Sequence, residues 1–289
     1  MALHVRDHGG EGPPLVLLHG AGRSLADWDA VIEAIGDGYR VLAVDLPGHG
    51  RSPGISPWSI PAAVRGIAES LDTHGVTEPV LVGHSLGGMI AIEYARAQRV
   101  RAAVNLDGFW WGRPGEYPGA ERVGALLRSP AGAVVPATYV AEEVAQAAGY
   151  GIPAGRAETA ARAALRPRPD GTWQLLPERP AALEMYDEMD RIGASGVTAW
   201  LAGVSCPLLL VRAGRQPERG VPWLDDLFTG FARGLAVELA ALARERPSVT
   251  VARIDATHEM ILAAPGAVAD LITEYLRGLP PPERTARPA

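Results

Sequence analysis

The sequence contains no lysine; all 27 of its basic residues are arginine. That absence excludes Schiff-base chemistry, a Ser-Lys dyad and a lysine-bearing phosphate loop. There is a single cysteine, Cys206, so neither an intrachain disulfide framework nor a zinc-finger-type site is possible. Its place before Pro207 and an apolar run suits a small core residue at a strand entrance. No apolar run approaches the ~20 residues that a membrane-spanning helix needs, and no charged-then-apolar leader opens the chain. The expectation is a soluble, cytoplasmic protein. Net charge is only −6, with acidic and basic residues interspersed, which offers no surface for nucleic acid or an anionic membrane. No histidine–carboxylate cluster has metal-ligand spacing, and no cofactor is implied.

What is present fits a globular enzyme. At 289 residues with 47% hydrophobic content, the chain can bury one α/β core and still carry an insertion. Leu3–Arg6 alternates as a half-buried strand. Continuous apolar runs follow at 15–18, 40–44, 79–82 and 102–106, the signature of strands covered on both faces. Helical spacing separates them: Leu25 to Ile35, then Val64, Ile67 and Leu71, then a segment running to about Ala97. This alternation predicts a mainly parallel, doubly wound sheet, α/β in class. The pattern breaks after Asp107-Gly108-Phe109-Trp110-Trp111. Residues 109–200 hold turns and short helical segments with no convincing buried strand, and read as a helical cap inserted into the core. The core is therefore expected over 1–108 and again over 201–279. In the second part come an apolar run at Leu208–Val211, a long helix bearing Leu235, Leu239 and Leu242, a strand at 249–254 and a helix opened by Pro265. The tail 280–289 is Pro/Arg-rich and expected to be disordered.

The chemistry-bearing stretch is Gly83-His84-Ser85-Leu86-Gly87, at the junction of an apolar strand and an Ala-rich helix. A serine flanked by glycines two residues to either side is the nucleophile-elbow pattern. The turn is too sharp for side chains at Gly83 and Gly87, and it presents the Ser85 hydroxyl at a helix N-terminus, where developing negative charge is favoured. In an open α/β sheet, functional groups gather at the carboxyl ends of strands. There the chain offers His19-Gly20-Ala21-Gly22, Ser85, Asp107 and Asp255-Ala256-Thr257-His258. A serine, a carboxylate and a histidine thus occur in the chain order of elbow hydrolases.

Four features in register resemble the α/β-hydrolase family: His19-Gly20-Ala21-Gly22, Asp45-Leu46-Pro47-Gly48-His49-Gly50-Arg51-Ser52, the elbow, and His258 ahead of Pro265. The resemblance covers nearly the whole chain outside the cap and implies the α/β-hydrolase fold. It implies Ser85 as nucleophile, His258 as general base, and the backbone amides of Ala21 and Leu86 as the oxyanion hole. The acid departs from the commonest family pattern. Pro217 stands where most relatives carry an Asp after the strand at 208–211, so the acid falls to Asp107, one strand earlier, with Glu218 as the alternative and Asp225 or Asp226 more remote. The implied activity is hydrolysis of a carboxylic ester or thioester of a small-to-medium, largely apolar substrate, without cofactor. The same triad also serves C–C hydrolysis, perhydrolysis and lyase or acyl-transfer steps, and some members of this fold only bind ligands.

Other residues have quieter readings. Phe109, Trp110 and Trp111 line an apolar substrate pocket or merely join cap to core, as do Trp173, Tyr186 and Trp200. His19 and His49 brace loops, His84 points away from the elbow, and Asp45 and Arg51 tie down their own loop. His4, His8 and His74 are expected at the surface; Arg23 and Arg113 either anchor a carboxylate or, as most arginines do, lie in solvent, the latter being the expectation.

Overall fold

The computed structural model describes residues 2–111, 115–217 and 220–279. Arg113, Glu218 and the tail 280–289 lie outside the described residues.

The chain enters through β1 (Val5–Asp7) and β2 (Pro14–Leu18), passes a 3-10 turn at Leu25–Trp28 into α1 (Asp29–Ile35), and returns as β3 (Arg40–Val44). The single helix expected over 25–35 is thus split. Ser24 caps the start of the 3-10 turn by accepting the Ala26 amide, and α1 follows from Asp29. Then come α2 (Ile60–Thr73), β4 (Val80–His84), α3 (Leu86–Ala97) and β5 (Ala102–Leu106). Residues 109–200 add α4 (Ala120–Arg128), β6 (Val134–Val135), α5 (Tyr139–Ala148), α6 (Ala154–Ala163), β7 (Leu165–Pro167), β8 (Trp173–Leu175), α7 (Arg179–Ser195) and α8 (Val197–Leu201). The chain closes with β9 (Leu208–Ala213), α9 (Pro222–Glu245), β10 (Val249–Ile254), α10 (Met260–Ala263) and α11 (Pro265–Arg277).

Seven strands form one sheet in the order β1-β3-β2-β4-β5-β9-β10, parallel throughout except for β1 at the edge. Both faces are covered, which explains the unbroken apolar runs. Val16 and Leu18 of β2 pack into one cluster with α2, α3 and α9, whereas Leu15 and Leu17 pack into the other with α1 and α11. The chain builds β3 on one side of β2 and then crosses to place β4 on the other. The carboxyl ends of β2 and β4 therefore open onto a crevice.

The insertion differs from the all-helical expectation. Its short strands β6, β8 and β7 pair as a three-stranded antiparallel sheet. Two or three residues per strand are too few for periodicity to reveal, because alternation needs about four. Helix α7 fastens the insertion to the core. Glu184 accepts the Trp58 amide (2.6 Å) and Glu188 the Ile60 amide (3.1 Å). These carboxylates sit at the N-terminal, positive end of α2. No helix among the described residues is long and apolar enough to cross a membrane.

Candidate active site

Ser85 joins β4 to α3 with φ 53° and ψ −120°, a conformation that non-glycine residues rarely hold. The neighbouring glycines make the turn possible. A Cβ on Gly83 would lie 1.9 Å from the Gly87 carbonyl oxygen, and one on Gly87 would lie 2.2 Å from that of Leu18. The Ser85 amide donates to Leu106 O (2.9 Å), which anchors the turn on β5. Leu86 opens α3, so its N–H has no intrahelical partner.

The carboxylate sits at the end of β5. Asp107 also has positive φ, 52°, and each of its oxygens has a partner: Oδ1 accepts the Ala213 amide (2.8 Å) and Oδ2 accepts His258 Nδ1–H (2.8 Å). Burial pushes the Asp107 carboxyl up, but the His258 hydrogen bond and charge, with the Ala213 N–H, outweigh it and hold the group below its usual range. An ionised carboxylate only accepts, so the His258 proton resides on Nδ1, leaving Nε2 as the basic nitrogen. The amide that steadies Asp107 comes from the end of β9, the strand after which most relatives place their acid. The two positions are adjacent in the sheet, so either can reach one histidine.

Asn105, overlooked in the sequence, and His84, read there only as pointing away, complete the frame. Asn105, fully buried, donates Nδ2–H to Gly108 O (2.9 Å) and accepts the Gly108 amide on Oδ1 (2.7 Å). That clamp closes the turn in which Asp107 stands. Its signal in the sequence was a lone polar residue inside an apolar strand. His84 reaches across to His258: its Nε2–H donates to the carbonyl of His258 (2.7 Å), and the two rings lie 4.8 Å apart. Burial first, then the charge of His258, lowers the His84 pKa to about 4, so this imidazole stays neutral. Nothing in the sequence pairs residues 174 positions apart.

The loop at 19–23 is held by the two histidines expected to brace it. His19 Nε2 accepts the Leu46 amide (2.9 Å) and its Nδ1–H donates to Gly20 O (2.8 Å). His49 Nε2 accepts the Gly22 amide (3.1 Å) and its Nδ1–H donates to Pro47 O (3.1 Å). Both are fully buried, and burial depresses each to about 3. The Ala21 amide lies between these fixed points with no partner of its own among the described residues. Asp45 gathers the Leu25 and Arg51 amides, and a side chain on Gly50 would collide with it at 2.4 Å.

Two surface expectations are corrected. His4 is half-buried and pairs with Asp45 at 2.8 Å. Arg23 is not in solvent; it grips the buried carboxylate of Asp27 (2.7 and 3.2 Å). The first pairing joins segments 41 residues apart, beyond the reach of local charge spacing, whereas the second is an i,i+4 pair.

Ser85, Asp107, His258 and Ala21 all border one cavity of about 350 Å³. Phe109, Trp110 and Trp111 border it too, and Tyr186 joins them from α7. Trp173 packs instead within the insertion, and Trp200 hydrogen-bonds Glu93 (2.8 Å) outside the cavity. Trp110 is fixed by donating to Asp190 (2.5 Å), which Arg128 also holds. Helix α9 contributes Phe228 and Phe231 to another wall. The cavity is of small-ligand size and largely aromatic.

An elbow serine at the end of β4, a histidine–aspartate pair across the sheet and an insertion after β5 define a hydrolase-type α/β architecture. Known proteins agree. The family model described as "alpha/beta hydrolase fold" matches residues 13–123. A pimeloyl-[acyl-carrier protein] methyl ester esterase of Methylococcus capsulatus is 32% identical over 275 residues, covering 92% of this chain and 96% of its own. The lipase LipV of Mycobacterium tuberculosis is 41% identical over 108 residues, a match spanning 36% of this chain and 41% of the lipase. In structure, E-2-(acetamidomethylene)succinate hydrolase superposes with a TM-score of 0.69 at 22% identity, covering 96% of this chain and 95% of that one. The chain belongs to the α/β-hydrolase fold family.

Proposed function

We propose that this protein is a serine hydrolase that cleaves a carboxylic ester or thioester of a small-to-medium, largely apolar substrate through an acyl-enzyme on Ser85. The observation that carries this reading is the Asp107–His258 hydrogen bond at 2.8 Å, bordering the same aromatic cavity as the strained Ser85. With Nδ1–H engaged by Asp107, His258 Nε2 accepts the Ser85 proton as Oγ attacks the substrate carbonyl. The resulting imidazolium is stabilised by the ionised Asp107. The oxyanion is received by the amides of Ala21 and Leu86, where loss of one such donor typically costs about 10²–10³ in rate. His258 then protonates the leaving alkoxide or thiolate. In the second half-reaction it draws a proton from water, which attacks the acyl-enzyme and releases the acid. Residues 109–200 act as the cap: Trp110, Trp111 and Tyr186 roof the cavity and exclude bulk water from the acyl group.

A fluorophosphonate probe tests the nucleophile. Wild type is expected to be labelled stoichiometrically and Ser85→Ala not at all. A wild type that resists labelling while folded would mean a binding protein of the same fold.

A further inference from the structure

The cavity contains a cation that this mechanism does not use. Along β9, Leu208 and Leu210 pack on the α9 side of the sheet, and Leu209, Val211 and Ala213 pack on the other. Alternation therefore points Arg212 beneath α9, where an apolar residue would continue the core. Arg212 borders the active-site cavity beside Phe228, Phe231 and Ala232. Of its five N–H donors, Nε is wholly enclosed and has no partner. Nη1 reaches only Ala232 O, at 3.4 Å, a helix carbonyl of α9. No carboxylate among the described residues pairs with it. Asp107 borders the same cavity, but both its oxygens are engaged by His258 and Ala213. Glu259 also borders it, and the charges acting on Glu259 are those of His258, Arg23 and His84 rather than Arg212. Arg23 and Arg128 illustrate the ordinary solution in this protein, each bound to one or more aspartates. An enclosed Nε with no partner, on a guanidinium whose fork no carboxylate fills, is costly unless something else engages the group.

We infer that Arg212 binds a free carboxylate carried by the substrate, so that the preferred substrates are esters or thioesters bearing one carboxylate a few bonds from the scissile carbonyl. A planar carboxylate matches the guanidinium fork, which a neutral ester chain cannot satisfy. A cavity of about 350 Å³ is roughly 9 Å across if spherical, enough for a short aliphatic or aromatic spacer between the two ends. The aromatic walls hold that spacer, and Arg212 sets which molecule is held. This inference rests on the serine-hydrolase reading of Ser85.

The test uses paired aryl ester substrates. On the acyl side, mono-p-nitrophenyl succinate, glutarate, adipate and pimelate are each compared with the neutral acyl ester of equal length. On the alcohol side, 4-carboxyphenyl hexanoate is compared with phenyl hexanoate. Wild type is expected to prefer the charged member of at least one arm by about 10–100-fold in kcat/KM, the range for a charge-assisted hydrogen bond. Arg212→Gln is expected to erase that ratio chiefly through KM, and Arg212→Lys to restore part of it. Because the readout is a ratio within one enzyme, partial loss of folded protein in a variant does not obscure it. Equal rates on both members in both arms of wild type would overturn the inference, as would a preference that survives in Arg212→Gln. Failure of the underlying reading looks different: no turnover of any ester and no probe on Ser85.

Discussion

Replacing Asp107 by asparagine changes one atom and should nearly abolish turnover. In the native site Oδ1 accepts the Ala213 amide and Oδ2 accepts His258 Nδ1–H, both at 2.8 Å. An asparagine has one acceptor, and the Ala213 N–H, a fixed backbone donor, claims it. The NH₂ group then faces His258 Nδ1 and requires that nitrogen to be an acceptor. The histidine proton is forced onto Nε2, the nitrogen that must be bare to receive the Ser85 proton. The same inversion in a serine protease triad lowers kcat about 10⁴-fold, so a loss of about 10³–10⁴ is expected here, or about 4–5.5 kcal/mol in the barrier. The assay is hydrolysis of p-nitrophenyl butyrate at pH 8, with Glu218→Gln measured in parallel. Probe labelling at Ser85 should slow in proportion, since the base is lost for both reactions. Asp107→Asn within tenfold of wild type, with Glu218→Gln crippled, would refute the assignment of the acid.

Other outcomes follow from the same hydrogen bonds. His19, His49 and His84 are buried and neutral, with pKa values depressed from 6.5 to about 3, 3 and 4. The unfolded chain binds their protons first, so stability is lost as pH falls below about 6.5. Between pH 7.5 and 5.5 the loss is about 1.4 kcal/mol for each, or roughly 4 kcal/mol in all. Urea midpoints measured across that interval should fall steadily, and a flat profile would show these imidazoles to be solvated. Asn105→Ala strands both the N–H and the C=O of Gly108 in the interior, at a cost of about 2–5 kcal/mol. It should also loosen Asp107 and so lower kcat more than it raises KM. A variant as stable as wild type would mean that the turn after β5 is held by something else.

Much of this was legible in the residues. The unbroken apolar runs at 15–18, 40–44 and 102–106 specify strands covered on both faces, because only such strands have no solvent side to mark with polar residues. The glycines around Ser85 specify the elbow, because no residue with a Cβ fits a turn in which a backbone oxygen lies 1.9 Å from that atom's position. Pro217, standing where the resemblance expects a carboxylate, moved the proposed acid to Asp107, which hydrogen-bonds His258. What the sequence alone could not supply were relations across the sheet and across the fold. Asp107 is steadied by Ala213, His84 grips the carbonyl of His258, and α7 pins α2 through Glu184 and Glu188. The three short strands of the insertion carry too few residues to leave a period. Arg212 reads in sequence as one more arginine at the end of a strand. Only the packing of α9 over that strand encloses its Nε and sets the residue against the cavity. Local pattern records what a residue needs from its immediate backbone, whereas the partner that satisfies a buried polar group is chosen by tertiary proximity.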